Sequence, residues 1–360
     1  MKIVQISKVY SIKIKNTEIL TSASKRILLS LSWGGGLFDF ASAQITIFEP
    51  IPALTTISDY GGLWTISVDG NQVFQGFAET PKKERAMGGN IFTFNLRSIL
   101  YAWDVLLTNK SFGATGSGAS VILDPDNMTT YLQYLVNTVG AESGIHFAGT
   151  LPQNSMPFSE LYENGVLSVT NSTYLSEIQR ACQALGYIVF ADPAGDTGVG
   201  AIRIIDALNS PPAVVLTSAG HYLDSLNASF SVSIASIPAT VLVADDVNQQ
   251  GVAYGFKNSG ADYDRTNFDK TRLNNIAFAT TVGIDKAKLP GIAQQIYDIS
   301  RKASQILTFR IACLLTDNQA LGYSASWVDS MGNLGLYTIQ KYTSSITPQE
   351  LYSEIEAYVK

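Results

Sequence analysis

Apolar and polar residues alternate with period two through most of the first hundred positions. In Trp64–Pro81, WTISVDGNQVFQGFAETP, the residues Trp64, Ile66 and Val68 stand against Thr65, Ser67 and Asp69. The run turns at Asp69-Gly70 and returns as Val73–Phe77. Asp-Gly supplies the positive φ angles of a type I′ turn, so the segment predicts a tight hairpin. Asn90–Ser98, NIFTFNLRS, adds a strand with Phe94 and Leu96 in register. Val4–Lys15 alternates with Val9, Ile12 and Ile14 as inward candidates, and Ile27–Trp33 and Gln44–Phe48 are further strands. Gly34-Gly35-Gly36, Pro50 with Pro52, Gly61-Gly62 and Gly88-Gly89 read as the breaks between them. Short strands punctuated by Gly and Pro point to a barrel or a sandwich.

From about residue 100 the period lengthens. Asp126–Val139 places Met128, Leu132, Leu135 and Val139 at helical spacing behind an Asp or Asn cap, with Gly140 as the stop. Thr170–Leu185 repeats the pattern, with Tyr174, Leu175, Ile178, Ala181, Cys182 and Leu185 forming one stripe before Gly186. Tyr187–Ala191, an Asp/Pro/Gly turn and Gly200–Ile205 follow as a hairpin, which makes an α+β unit. Gly113, Gly116 and Gly118 read as a flexible connection at its entry, because no Gly-Lys-Ser/Thr phosphate cradle is present. Strands return at Leu226–Ser236 and Ala239–Ala244. Asp245–Arg272 is a polar excursion, and Pro290–Leu307 has helical spacing. Phe309–Leu315, Ser324–Val328 and Leu336–Tyr342 are strand candidates. Thr347-Pro348-Gln349-Glu350 reads as a capping box opening a C-terminal helix with Leu351 and Ile355 on its apolar face.

The pattern therefore predicts an α+β chain, mostly antiparallel β, with two β-barrel-like domains and an α+β domain between them. The expected divisions are 1–100 for the first barrel, 101–206 for the α+β domain, and 207–250 with 300–346 for a split second barrel. An inserted excursion and helix occupy 251–299, and the C-terminal helix 347–360.

Composition narrows the chemistry. Of 360 residues 46% are hydrophobic and only 15% charged, a balance that suits a surface covered by partners. The formal net charge of −6 argues against a general grip on nucleic-acid phosphates. The lysine-interrupted start does not read as a signal peptide, and no run reaches the ~20 apolar residues of a membrane helix, so synthesis in the cytoplasm is expected.

Cys182 and Cys313 read as buried free thiols, and His146 and His221 as structural histidines. Two histidines exclude a His-rich metal site. Glycan cleavage needs only two carboxylates at the right separation. The candidate pairs are Asp124 with Asp126, Asp245 with Asp246, and Glu354 with Glu356, read respectively as a helix cap, a solvated loop and a terminal helix face. Asp262, Asp264 and Asp269 read as a solvated loop. The abundant aromatics alternate inside strands (Phe92, Phe94, Phe230, Tyr337), which favours core or subunit contacts over a sugar platform. No catalytic, cofactor-binding or metal residue is predicted, and no cofactor.

Three stretches taken in order carry a resemblance. They are WTISVDGNQVFQGFAETPKKE with NIFTFNLRSIL, then STYLSEIQRACQALGYIVFADPAGDTGVGAIRII, then LDSLNASFSVSIASIPATVLVA with GYSASWVDSMGNLGLYTIQKY. Together they resemble the baseplate hub proteins of contractile-tailed phages and related injection machines, the Mu-like hub or late control protein D family. The resemblance implies a non-enzymatic homotrimer whose paired barrels make a six-part ring. That ring adapts a sixfold tail tube to a threefold central spike, beside other baseplate proteins, with DNA only as passing cargo and no membrane contact. The expected location is the virion tail baseplate. The competing class is a carbohydrate-binding or glycan-cleaving tail protein. In a ring, the strands near Val4–Lys15 and Leu336–Tyr342 are expected at edges buried between chains.

Overall fold

The computed structural model describes residues 10–15, 17–21, 27–36, 40–50, 61–79, 81–107, 109–185, 187–193, 201–206, 214–217, 229–232, 240–245, 276–281, 291, 293–294, 305–311, 313–321, 324–328, 334–348 and 350–359. The alternation of the first hundred residues becomes antiparallel strands. They are β1 (Tyr10–Ile14), β2 (Thr17–Thr21), β3 (Ile27–Gly36), β4 (Ser42–Pro50), β5 (Leu63–Val68), β6 (Asn71–Ala78), β7 (Lys82–Ala86) and β8 (Gly89–Ser98). Asp69 and Gly70 close the β5–β6 hairpin with φ of 50° and 81°, the pair of positive angles that a type I′ turn requires. Trp64, Ile66 and Val68 are buried, and the Trp64 ring lies 4.8 Å from that of Phe94 on β8. β7 carries no apolar alternation that would mark it in the sequence: Lys82, Lys83, Glu84 and Arg85 are exposed and Ala86 is half-buried.

The α+β unit begins where Ser98 caps a 3-10 turn, Ile99–Trp103, its Oγ accepting the Leu100 amide at 3.2 Å. Next come β9 (Leu106–Leu107), β10 (Lys110–Ala114), β11 (Val121–Leu123) and α1 (Met128–Ser143). They are followed by α2 (Phe158–Leu161), β12 (Val166–Val169), β13 (Ser172–Thr173), α3 (Tyr174–Leu185), β14 (Ile188–Asp192) and β15 (Ala201–Ile205). Asn127 caps α1 by accepting the Thr130 amide at 2.8 Å, and Met128, Leu132, Leu135 and Val139 are buried as expected. The helix runs through Gly140, its expected stop, and ends at Gly144, whose φ of 73° allows its amide to bond the Gly140 carbonyl. All six residues of the α3 stripe are buried. Gly113 lies inside β10, and reciprocal amide–hydroxyl bonds of 2.9 and 2.8 Å between Ser111 and Ser120 clamp the segment that was expected to be flexible.

The C-terminal part supplies β16 (Val214–Thr217), β17 (Ser229–Val232), β18 (Thr240–Asp245), β19 (Ile276–Thr281), β20 (Gln305–Ile311), α4 (Asp317–Ala320), β21 (Ser324–Val328), β22 (Leu334–Ile346) and β23 (Leu351–Val359). Several expectations are corrected here. The C-terminal helix of 347–360 is the strand β23: Ser353, Ile355 and Ala357 are buried at period two, and the strand bonds β22 on one edge and β20 on the other. Thr347 still accepts the Glu350 amide, at 3.0 Å, but in a turn whose Thr347 amide bonds back to the Glu350 carbonyl at 2.9 Å. The helical pattern of Pro290–Leu307 is overrun by β20 from Gln305. β19 lies within the stretch 251–299 assigned to an excursion and helix, and pairs in parallel with β18 in a separate two-stranded sheet. Asp262, Asp264, Asp269 and His221 lie outside the described residues.

The main sheet has fourteen strands, in the order β17-β20-β23-β22-β3-β4-β8-β6-β5-β1-β2, with β7, β16 and β21 off this path. The architecture is mostly antiparallel β with few helices, and among the described strands no barrel closes. Neither expected edge is one. β1 lies between β2 and β5, and β22 has strands on both sides. Ile12 and Ile339 are accordingly fully buried within the chain.

β22 unites the two ends of the sequence. One edge bonds β23 along most of its length. On the other edge, Leu334–Thr338 bonds β21 and Lys341–Ile346 bonds β3, with an irregularity between Ile339 and Lys341 in the β23 ladder. Two hydrophobic cores result. One runs under the sheet from Ile12 to Tyr358, and the other fills the α+β unit around Trp103, Tyr131, Phe158 and Ile178. The β14–β15 hairpin joins them, with Ile188 and Phe190 in the first core and Ala191, Ile202 and Ile204 in the second.

Candidate functional site

The seam between β3 and β22 is built on glycine. A Cβ on Gly34 would lie 2.2 Å from the Tyr342 carbonyl oxygen, and one on Gly35 would lie 2.9 Å from the Asp317 carboxylate. The triple glycine is therefore not a break between strands. It is the end of β3, stripped of side chains so that β22 can approach.

Below the seam, the segment 313–316 is fastened by hydroxyls. Ser344 Oγ accepts the Leu315 amide at 3.0 Å and lies 2.7 Å from Ser353 Oγ, which donates to the Cys313 carbonyl at 2.7 Å. The Trp33 indole donates to the Leu315 carbonyl at 2.7 Å. Both serines are fully buried, so each hydroxyl needs these partners. The same segment leads into α4, where buried Asp317 accepts the Tyr342 hydroxyl at 2.7 Å. Burial pushes the Asp317 carboxyl up to about 7; the Tyr342 bond opposes the rise and nearby Asp192 adds to it. Asp192, on β14, is paired with Arg203 at 2.7 Å. A line of buried polar groups thus ties the sheet to the hairpin of the α+β unit.

Above the seam lies a groove of about 560 Å³, lined by residues that include Gly34, Gln44, Asn95, Arg97, Tyr101 and Lys341. Arg97 pairs with Glu79, and its guanidinium lies 5.1 Å from the Tyr101 ring centre. Gln44 donates to Asn95 at 3.0 Å. Two pairs of polar side chains in the lining thus satisfy each other within the groove.

The sequence candidates do not converge on it. His146 is an exposed residue whose main-chain carbonyl accepts the Ile202 amide at 3.1 Å. Cys182 is buried, its thiol pushed up by desolvation; Cys313 is only partly buried, and both are free. Asp126 caps α2 rather than α1, accepting the Ser159 amide at 3.1 Å and its hydroxyl. Asp124 is exposed. Glu354 and Glu356 share a face of β23 rather than of a helix. Glu354 pairs with Arg310 at 3.2 Å, and Glu356 stands opposite Lys341 in register. Asp245 ends β18, and Asp246 lies outside the described residues. Among the residues whose burial is described no Phe, Tyr or Trp ring is exposed, and among the described residues no group of three potential metal ligands occurs. No helix among them is long and apolar enough to cross a membrane.

Sequence reading missed Asp317, Tyr342, Ser344 and Ser353. No local signal marks them, because their burial depends on a strand pairing between distant parts of the chain.

No protein-family model and no curated protein matches the sequence. Solved structures do match along its length. A 43 kDa tail protein of prophage MuSo2 from Shewanella oneidensis superposes with a TM-score of 0.65 at 11% identity, covering 98% of this chain and 97% of that one. A tail protein from Neisseria meningitidis gives 0.64 at 12% identity, covering 98% and 96%. An Escherichia coli component of the type VI secretion system, described as structurally similar to the T4 tail proteins gp27 and gp5, gives 0.51 at 9% identity over 97% and 76%. The chain has the fold of these tail and secretion-system proteins, from one end to the other.

Proposed function

We propose that this chain is a structural hub of a contractile-tail baseplate. It assembles as a homotrimer whose two barrel-like strand sets per chain, divided at about the boundaries predicted from sequence, make a ring of six similar parts. That ring adapts a sixfold tail tube to a threefold central spike and lies beside other baseplate proteins in the virion tail, with DNA only as passing cargo. The reading has no catalytic step. The observation that carries it is the fold match over 98% of this chain and 97% of a prophage tail protein. The seam supports it: β22 bonds β3 on one edge and β23 on the other, so strands from both ends of the chain share one sheet. A glycan-cleaving role draws no support from the described candidate pairs: Asp126 caps α2, Asp124 is exposed, and Glu354 pairs with Arg310. Sedimentation equilibrium is the test. Three copies of a 38.8 kDa chain are expected in one particle, without release of sugar from cell-wall material; a stable monomer that releases sugar would overturn the reading.

A further inference from the structure

The β7–β8 hairpin is the most conspicuous surface feature that the seam and groove leave unused. Lys82, Lys83, Glu84 and Arg85 are exposed on both faces of β7, whose only strand partner among the described residues is β8. Charge alone would be explained as protection of an edge strand against aggregation. Met87, at the turn, is not so explained: its side chain is 102% exposed, as free as in an extended chain. A cationic strand ending in a fully solvated methionine has the composition of a contact with an apolar centre and an acidic rim.

The chain itself carries the complement. Residues 99–206 hold ten Asp or Glu and three Lys or Arg, a formal charge of −7, while the whole chain carries −6, so the rest is at +1. Within that acidic unit, β11 is an edge strand that bonds only β10 among the described residues. Ile122 on β11 is 47% exposed, and Asp124 just beyond it is exposed. Apolar residue and acid there match Met87 and its cations.

We infer that the β7–β8 hairpin of one copy docks on the β11 edge of a neighbouring copy, Met87 against Ile122, with Lys83 and Arg85, which share one face of β7, toward the acidic α+β unit. The contact joins two different patches, so it is heterologous and propagates head to tail until a ring closes. It rests on the self-assembly proposed above.

Two measurements test it on the full chain. The first is the mass of the wild-type protein beside that of K83E/R85E, with circular dichroism to confirm the fold. Self-association about tenfold weaker or worse is expected, because reversed charges face like charges across the contact. The second is oxidation of M87C/I122C, with the wild type as control for Cys182 and Cys313. A reducible ladder of covalent oligomers is expected. An oligomeric wild type whose charge reversal still assembles, or whose cysteine pair gives no ladder, overturns this contact while leaving self-assembly standing. A monomeric wild type overturns self-assembly and the contact with it.

Discussion

The α+β unit and the β3–β22 seam solve the same problem, burying polar groups beside a hydrophobic core, with contrasting economy of chain. In the unit, buried Glu177 takes a hydrogen bond from Ser172 at 2.6 Å, pairs with Arg180 at 3.1 Å and meets the Tyr131 hydroxyl at 3.4 Å. Those partners lie within a few dozen residues of one another. At the seam, Trp33 reaches Leu315 across 282 residues, and Asp317, Tyr342, Ser344 and Ser353 meet beneath glycines of the first strand set. The unit is assembled from local contacts. The seam closes only when both ends of the chain are present, and it carries the loop-closure cost that such contacts demand.

The largest expected effect comes from breaking the seam at its closest approach. Gly34→Val places a branched side chain where the Tyr342 carbonyl lies 2.2 Å from a Cβ. The expected loss is about 3 kcal/mol or more, read as loss of the cooperative unfolding transition or an insoluble product. Gly70→Ala, at a turn with open space around it, costs about 1 kcal/mol through its positive φ alone. Ile178→Ala strikes the unit instead. A fully buried isoleucine truncated to alanine costs about 2–5 kcal/mol, and hydrogen exchange should rise in α1 and α3 before it rises in β22. Equal protection loss in both regions would erase the contrast between them.

The buried acid gives the seam a pH signature. The folded state holds a proton on Asp317 up to about 7, whereas the unfolded chain releases it near 3.8. Its contribution is therefore complete below 3.8 and is lost as pH rises through the window to about 7, on the order of 4 kcal/mol across the range. Asp317→Asn keeps an acceptor for the Tyr342 hydroxyl and removes the titration. Denaturant melts of this variant are expected to show a flatter pH dependence between 4 and 7 and higher stability than the parent at pH 8. An unchanged slope would place the proton elsewhere. Smaller still is Ser353→Ala, at about 1–2 kcal/mol, because the Cys313 carbonyl loses its hydroxyl donor while Ser344 keeps Leu315. Arg97→Ala, at an exposed ion pair, should stay within about 1 kcal/mol.

The same contrast explains what the sequence reveals. The Asp69-Gly70 hairpin, the Asn127 cap and the α3 stripe are legible because each is decided within a dozen residues. Gly34–Gly36 is not, since nothing nearby announces that Tyr342 will lie against it. β23 is ambiguous by arithmetic: Leu351, Ile355 and Tyr358 fit a helix, while Ser353, Ile355 and Ala357 fit a strand, and the small residues conceal the buried face. β7 lacks any apolar pattern, and only its pairing with β8 makes it a strand. Asp317, in the polar string Thr316-Asp317-Asn318-Gln319, reads as a solvated turn until α4 is seen packed beneath the seam. Assembly between chains lies one step further from sequence than the seam does.

Electron microscopy of the purified protein tests the central claim most directly. The account predicts closed rings with threefold symmetry, six similar peripheral densities and a central opening. Discrete single-chain particles, or open filaments without closure, would contradict it.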